Sequence, residues 1–406
     1  MATSVTSIVR STLSSVSTVP LKDIHFKCTN DYTGKSIKRL YHADNLDVLS
    51  CLVKDTDVCG KVDLVYIDPP YNTGGAFETR DFKPAYNDNF TTEGYLRFME
   101  VRLDLLHKLL SNEGSIYIQL DSNMLFHVKL LMDKIFGEKN FRGMITRKKC
   151  KSKNFTRNTY GNISDYILFY SKGDTPKWNR PFEDWCEEKS KKEYPFSEEG
   201  TGRRYKKVPC HAPGTRRGAT GGPWRGMMPP KGKHWQYTPD TLDEMDAKGE
   251  IYWSSNGNPR RKVYLDQSKG IPVQDIWLDF LDVNNQNTHQ TGYPTEKNLD
   301  MLKRIVEASS NPGDLVLDCF AGSGTTLVAA EELGRQWIGI DIGDEAIRVI
   351  KDRFANGTKP LGDYVSKKKK VSAPSLFDEI SIEEKNTEAI SKQEHIQPKY
   401  QIFEEI

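Results

Sequence analysis

The stretch Val62-Asp63-Leu64-Val65-Tyr66-Ile67-Asp68-Pro69-Pro70-Tyr71 sets the reading of the whole chain. Its first six residues form a β-branched and aromatic run, short enough for a buried strand, and the proline pair ends it. A second stretch, Leu315-Val316-Leu317-Asp318-Cys319-Phe320-Ala321-Gly322-Ser323-Gly324-Thr325-Thr326, repeats the plan with a Gly-rich turn in place of the prolines. Helical patterns lie between such strands. Leu96, Met99, Leu103, Leu106 and Leu110 recur at helical spacing, Gly114 breaks the pattern, and residues 115–120 read as the next strand. A helix over 124–136 and a strand over 163–170 follow. Further on, a helix over 298–308 stops at Asn311-Pro312-Gly313, and a helix over 325–333 leads to a strand over 337–341. Strands alternating with helices predict an α/β fold with a doubly wound, mostly parallel sheet.

The 406 residues exceed one ordinary compact domain, so the chain holds two or three units or one core with insertions. At 10% aromatic it is too rich for a disordered chain, and no run of 18 apolar residues offers a membrane span. Seven cysteines without a Cys-x-x-Cys pair argue against a disulfide framework or structural zinc and for a reducing, cytoplasmic setting. The eight histidines form no ligand set, so no metal is expected. The first 20 residues, Ser/Thr-rich and acid-free, read as a disordered tail or a transit peptide. The net charge of +2, from 58 Lys/Arg against 56 Asp/Glu, hides strong regional differences. Residues 142–234 hold 22 Lys/Arg against 9 Asp/Glu, a surplus of +13, while residues 372–406 hold 3 against 8, or −5. Residues 172–292 show little periodicity and many Gly, Pro, Trp and basic residues, and read as an insertion between two halves of one α/β domain.

Ligands of open α/β sheets gather at the carboxyl ends of the strands, where Asp68-Pro69-Pro70-Tyr71 falls. The prolines fix successive φ angles and present a carboxylate and a ring together. That set suits a planar base with an exocyclic amino group, whose two hydrogens need acceptors and whose face can stack. A plain strand-to-turn stop is the bland alternative. The Gly-rich turn fails as a dinucleotide fingerprint, because Leu327 takes the third glycine's place, and as a P-loop, because Thr325 stands where a lysine is required. Asp341, about 20 residues on, is placed to bind ribose hydroxyls. A nucleoside cofactor without an essential pyrophosphate fits both.

Asp-Pro-Pro-Tyr together with Asp-x-Phe-x-Gly-x-Gly-Thr-Thr resembles the amino-directed DNA methyltransferases that use S-adenosylmethionine. The tetrapeptide precedes the Gly-rich motif, which is the circularly permuted order of the β group. The insertion is similar to that of type III restriction-modification methylation subunits and their solitary relatives. The resemblance implies an N-terminal segment at 1–40, partly disordered; a catalytic half at 41–171; a target-recognition insertion at 172–292; a cofactor-binding half at 293–355; and a C-terminal tail at 356–406. It implies that Asp68 accepts a hydrogen bond from the target amine, the Pro70 carbonyl takes the second hydrogen, Pro69 stiffens the loop and Tyr71 stacks on an extruded base. Phe320, Gly322, Gly324 and Thr325 would line the cofactor site, with Asp318 near its amino-acid end and Asp341 at the ribose. Asp44 and Asn45 resemble the family's acidic contact upstream, and Lys297, in Pro294-Thr295-Glu296-Lys297, the segment that closes over the methionine part.

The implied reaction is adenine-N6 methylation in duplex DNA by base flipping and direct attack, because Asp at the first tetrapeptide position favours adenine while Ser is commoner in cytosine-N4 enzymes. Cysteine-dependent C5 methylation is disfavoured, since the Pro209-Cys210 pair lies away from any predicted strand end. The basic clusters Arg147–Lys153, Arg203–Lys207 and Arg216-Arg217, interleaved with Trp224, Trp235, Tyr237, Tyr252 and Trp253, suit DNA; their bland reading is a solvated basic face over a small aromatic core. The alternatives left open are cytosine-N4 methylation, a modification or specificity subunit within a restriction complex, and an RNA or protein methyltransferase. A homodimer and a restriction subunit are further partners that the resemblance allows, in a prokaryotic cytoplasm.

Overall fold

A computed structural model describes residues 24–30, 36–71, 76–78, 84–87, 90–151, 158–282, 291, 293, 296–358 and 399–405. The chain divides into two compact units, one of residues 1–180 with 274–406 and one of residues 181–273. The first is built on a ten-stranded sheet. In chain order its strands are β1 (Phe26–Cys28), β2 (Lys38–His42), β3 (Val62–Ile67), β4 (Leu110–Leu120), β5 (Phe141–Lys148), β6 (Ser164–Ser171), β7 (Ile276–Trp277), β8 (Leu315–Asp318), β9 (Gln336–Asp341) and β10 (Gln401–Glu405). Across the sheet they lie in the order β1-β10-β2-β9-β8-β3-β4-β6-β5-β7. Every pair from β10 to β4 is parallel, β6 is antiparallel to β4 and β5, and β1 is antiparallel to β10. This is the mostly parallel, doubly wound α/β sheet that the sequence predicts.

The helices of this unit are α1 (Asn45–Leu52), α2 (Thr92–Leu109), α3 (Leu125–Phe136), α4 (Leu299–Ser309), α5 (Thr325–Glu332) and α6 (Asp344–Asn356). Thr91 caps α2 by accepting the Gly94 amide at 3.0 Å, and the predicted stripe of Leu96, Met99, Leu103 and Leu106 is buried. Each such side chain contributes roughly 1.5–3 kcal/mol on burial. The helix does not wait for Gly114 to end it: Leu110 already adopts extended backbone and begins β4. Gly114 serves the strand instead, since a Cβ there would lie 2.8 Å from the Val62 carbonyl oxygen, where β3 and β4 shift register.

Both ends of the chain contribute strands to the sheet. Residues 401–405, expected to lie outside any core pattern, form β10 between β1 and β2, with Phe403 stacked on Tyr41 at 4.7 Å and Tyr400 against Trp337 and Phe354. A five-residue strand has too little sequence for its period to show, and its partner β2 lies some 360 residues away. Residues 26–28 and 38–40, inside the expected N-terminal segment, are likewise sheet. The rest of the Ser/Thr-rich start and most of the acidic tail lie outside the described residues.

In the second unit an antiparallel four-stranded sheet joins Phe196–Ser197, Arg204–Pro209, Pro259–Tyr264 and Ile251–Trp253 in that order. Beside it, His211–Pro213 pairs with Lys233–Trp235. Helix Pro239–Ala247, capped by Thr238, completes a core of Cys210, Trp224, Trp235, Leu242 and Ile251. This unit is narrower than the expected insertion of 172–292: Ile276 and Trp277, for example, pair with Thr146 and Arg147 in the first unit's sheet. Among the described residues no helix is long and apolar enough to cross a membrane.

Candidate active site

Strands β2, β9, β8 and β3 are neighbours and run the same way, so their carboxyl ends deliver Asp44, Asp341, Asp318 and Asp68 to one side of the sheet. All four line one cavity of about 280 Å³. Of the residues expected in the catalytic and cofactor sites, every one except Gly324 lines it. Gly324 sits just before α5 with φ 72°, and a Cβ there would press within 2.8 Å of Ile350 on α6. It gives the turn its left-handed bend and its close packing rather than a wall.

Both carboxylate oxygens of Asp68 are engaged. The Tyr71 hydroxyl donates to Oδ1 at 2.5 Å, and Lys297 Nζ lies 2.5 Å from Oδ2. Burial raises the Asp68 pKa above the usual carboxylate value, Lys297 and the Tyr71 bond pull it back, and Asp165 pushes it up. Burial and the adjacent Asp68 keep the Tyr71 phenol un-ionised. The lysine expected to close over the cofactor's methionine part is therefore also the counter-ion of Asp68.

The Gly-rich turn is fixed from several sides. Asp341 accepts the Gly322 amide at 2.8 Å and the Gly343 amide at 2.9 Å, which ties the end of β9 to the turn after β8. Asp318 is 2% exposed and accepts the Phe320 amide at 3.0 Å. Burial pushes its carboxyl up to about 7, against the bonds from Thr326 and Phe320. Thr325 shares its hydroxyl with Ser323 and Arg353.

Asp44 is both helix cap and cavity wall. Its Oδ1 accepts the Leu46 amide at 2.8 Å and Arg102 Nη2 at 3.1 Å. Asn45 accepts Arg102 Nε at 2.5 Å and donates to the Cys319 carbonyl at 2.7 Å. Arg102 also lies over the Phe98 ring, 3.6 Å from its centroid, and Phe98 meets Phe320. The sequence reading missed Arg102, Phe98, Tyr66, Tyr293 and Ile342, all of which line the cavity. Arg102 left a signal: an arginine between Met99 and Leu103 on an otherwise apolar helix face is costly unless partnered.

The second unit divides its expected interface residues. Trp224 and Trp235 are core side chains, 1% and 3% exposed, with their indole N–H groups on Asp243 and the Gly222 carbonyl, so for them the bland reading holds. Cys210 is buried in the same core, and burial pushes its thiol up to about 11, which leaves no thiolate for nucleophilic work at neutral pH. Among the described residues, no three His, Cys, Asp or Glu side chains gather where they could hold a metal ion.

Residues 62–352 match the family of N6/N4 DNA methylases. The type II methyltransferase M.EcaI of Enterobacter cloacae is 52% identical over 306 residues, covering 75% of this chain and 67% of that protein. The Mod subunit of the type III restriction-modification enzyme StyLTI of Salmonella typhimurium is 32% identical over 338 residues, 72% of this chain and about half, 49%, of the subunit. The DNA adenine methyltransferase YhdJ of Escherichia coli is 24% identical over 371 residues, 90% of this chain and 99% of that protein. With the family match spanning most of its length and both signature motifs facing one cavity, this chain belongs to the N6/N4 DNA methylase family.

Proposed function

We propose that the chain transfers a methyl group from S-adenosylmethionine to the N6 amino group of adenine at a specific sequence in duplex DNA. The observation that carries this reading is the shared cavity: Asp68, at the end of β3, opens into the same space as the Gly-rich turn and Asp341. The walls fit the cofactor's chemistry. Carboxylates of Asp44, Asp318 and Asp341 suit a sulfonium, an ammonium and ribose hydroxyls, while Phe320 and the exposed Ile342 beside Asp341 offer apolar surface to a purine. When bound, S-adenosylmethionine supplies an electrophilic methyl group.

The chain's residues prepare the nucleophile. An aromatic amine is unreactive because its lone pair is delocalised into the ring. Asp68 and the Pro70 carbonyl accept its two hydrogens, draw the nitrogen toward tetrahedral geometry and localise that pair. Asp68 then takes the proton released as the nitrogen gains its new bond, a task that its burial favours. Tyr71 stacks on the flipped base and offsets part of the few kcal/mol that unstacking costs. Pro69 and Pro70 hold these groups with little freedom left to lose.

Adenine is supported by Asp68 at the first motif position and by the name of the YhdJ relative. Incubation of the purified chain with labelled cofactor and DNA, followed by nucleoside analysis, tests the whole reading. N6-methyladenine is expected; N4-methylcytosine would overturn the base assignment, and unlabelled DNA the function. A second reading, as a modification subunit in a restriction complex, rests on the 32% identity to the StyLTI Mod subunit. Copurification with an ATPase-nuclease supports it, and full activity of the isolated chain makes it unnecessary. Either role places the protein on DNA in a prokaryotic cytoplasm; a homodimer is tested by sedimentation.

A further inference from the structure

One buried ion pair beside the cavity has no part in the chemistry above. Arg353, in the last turn of α6, sends Nη1 to the Ser323 carbonyl oxygen at 3.1 Å, Thr325 Oγ1 at 2.9 Å and Glu296 Oε1 at 3.3 Å. The two side chains are 4% and 5% exposed. Glu296 Oε2 accepts the Thr291 amide at 2.8 Å and the Thr291 hydroxyl at 2.7 Å. The next residue, Lys297, grips Asp68. One guanidinium thus joins the Gly-rich turn to the segment whose lysine holds the carboxylate at the other side of the cavity. A buried pair of this kind is weak evidence for stability, because apolar side chains of similar volume often serve a core equally well. What a guanidinium nitrogen that donates to the Ser323 carbonyl and the Thr325 hydroxyl while pairing with Glu296 does supply is position.

We propose that Arg353 and Glu296 are a positioning pair that holds Lys297 against Asp68 and links that contact to the Gly-rich turn. This deepens the methyltransferase reading and rests on Asp68 being its proton acceptor. The groups whose charge Asp68 meets are Lys297, Tyr71 and Asp165, with Tyr66 and Asp318 close enough to respond to it. Lys297 is the cation of that set. Once it swings away, the Tyr71 bond alone opposes burial and Asp165, so the titration of Asp68 depends on two residues that do not touch it.

The test uses the full chain with 13C-labelled aspartate, the Asp68 carboxyl being assigned by loss of its signal in Asp68→Asn. Replacing the pair by Arg353→Met with Glu296→Met is expected to move the Asp68 midpoint up by about one pH unit, and Arg353→Lys by less. The acid limb of kcat/KM should move with it, kcat falling about tenfold while cofactor Kd changes by less than about threefold. An unmoved midpoint in either variant that keeps a cooperative thermal transition overturns the proposal; if the double variant does not fold, Arg353→Lys decides alone. A wild-type chain that leaves DNA unmethylated would sink the methyltransferase reading, yet the midpoint would still decide whether the pair positions Lys297.

Discussion

The two units both carry many charged side chains and use them in opposite ways. At the cavity of the first unit each charge is partly or wholly buried and already engaged: Asp68 by Lys297, Asp44 by Arg102, Asp341 by two backbone amides. In the second unit Lys262 pairs with Glu198 part-buried, and the pairs of Arg203 with Asp266, Lys206 with Glu193 and Arg225 with Asp243 and Asp246 lie at the surface. Such pairs contribute about 0–1 kcal/mol each and weaken with salt. Arg216, Arg217, Lys231, Lys233 and Arg260 have no acid partner among the described residues. Lys233 and Arg260 gather near His211, whose pKa is lowered first by burial and then by both cations. The contrast separates two uses of charge. Where the proposed chemistry is done, charge is fixed in place; where the proposed grip on DNA would lie, cations are left uncompensated.

The largest expected effect removes a fixed charge. Asp68→Ala should lower single-turnover methyl transfer by about a thousandfold or more, with cofactor affinity changed only a few-fold in equilibrium dialysis. Normal turnover by that variant would remove Asp68 from the reaction. Next, Arg102→Met strands the side chains of Asp44 and Asn45, at roughly 1–3 kcal/mol for the missing hydrogen bonds. Cofactor Kd should rise about tenfold in calorimetry, equivalent to about 1.4 kcal/mol. The comparison itself is broken or sharpened by salt. The triple change Arg216→Ala, Arg217→Ala and Lys233→Ala should weaken DNA binding and flatten its dependence on log salt by about one for each phosphate no longer neutralised. Arg203→Ala with Arg225→Ala, which removes paired cations, should leave that slope nearly unchanged. Equal slopes for the two sets would erase the distinction between paired and free cations.

The smallest effect is on stability against pH. The folded-state pKa of Asp318, about 7, lies above its ordinary carboxylate value, so the folded chain binds this proton more tightly than the unfolded one. Its contribution is complete below the unfolded pKa and is lost as pH rises through about 7. The Tm should therefore fall between about pH 4 and 7 in part because of this group, and Asp318→Asn should make that fall shallower by scanning calorimetry. A slope identical to wild type would mean that Asp318 stays ionised when buried.

Much of the first unit was legible because its signals are local. The strand at 62–67 and the strand at 315–318 coincide with the observed β3 and β8, and the stripe on α2 needed only its own spacing. The motif residues were legible because strand ends of a parallel sheet converge by topology. The partners that hold them were not: Arg102 meets Asp44 across 58 residues, and Arg353 meets Glu296 across 57. No local period encodes such a pairing. Charge counting misled in a related way. Of the 22 cations at 142–234, several are internal to the first unit, Arg147 and Lys149 on Asp165 and Lys177 on Asp63 and Asp314. The compact second unit holds 17 Lys/Arg against 13 Asp/Glu, so its surplus is +4, and the identity of the unpaired cations matters more than the sum.

The placement of β10 sets an order of events during synthesis. Strand β2, whose end leads to Asp44, pairs with β9 on one side and with residues 401–404 on the other. At about 5–20 residues per second, the far partner leaves the ribosome roughly 20–70 s after β2 does. Until then β2 is an open edge, a template for strands of other chains. A ribosome that stalls before residue 401 would release a chain with its motifs made, its sheet unfinished and that edge still exposed.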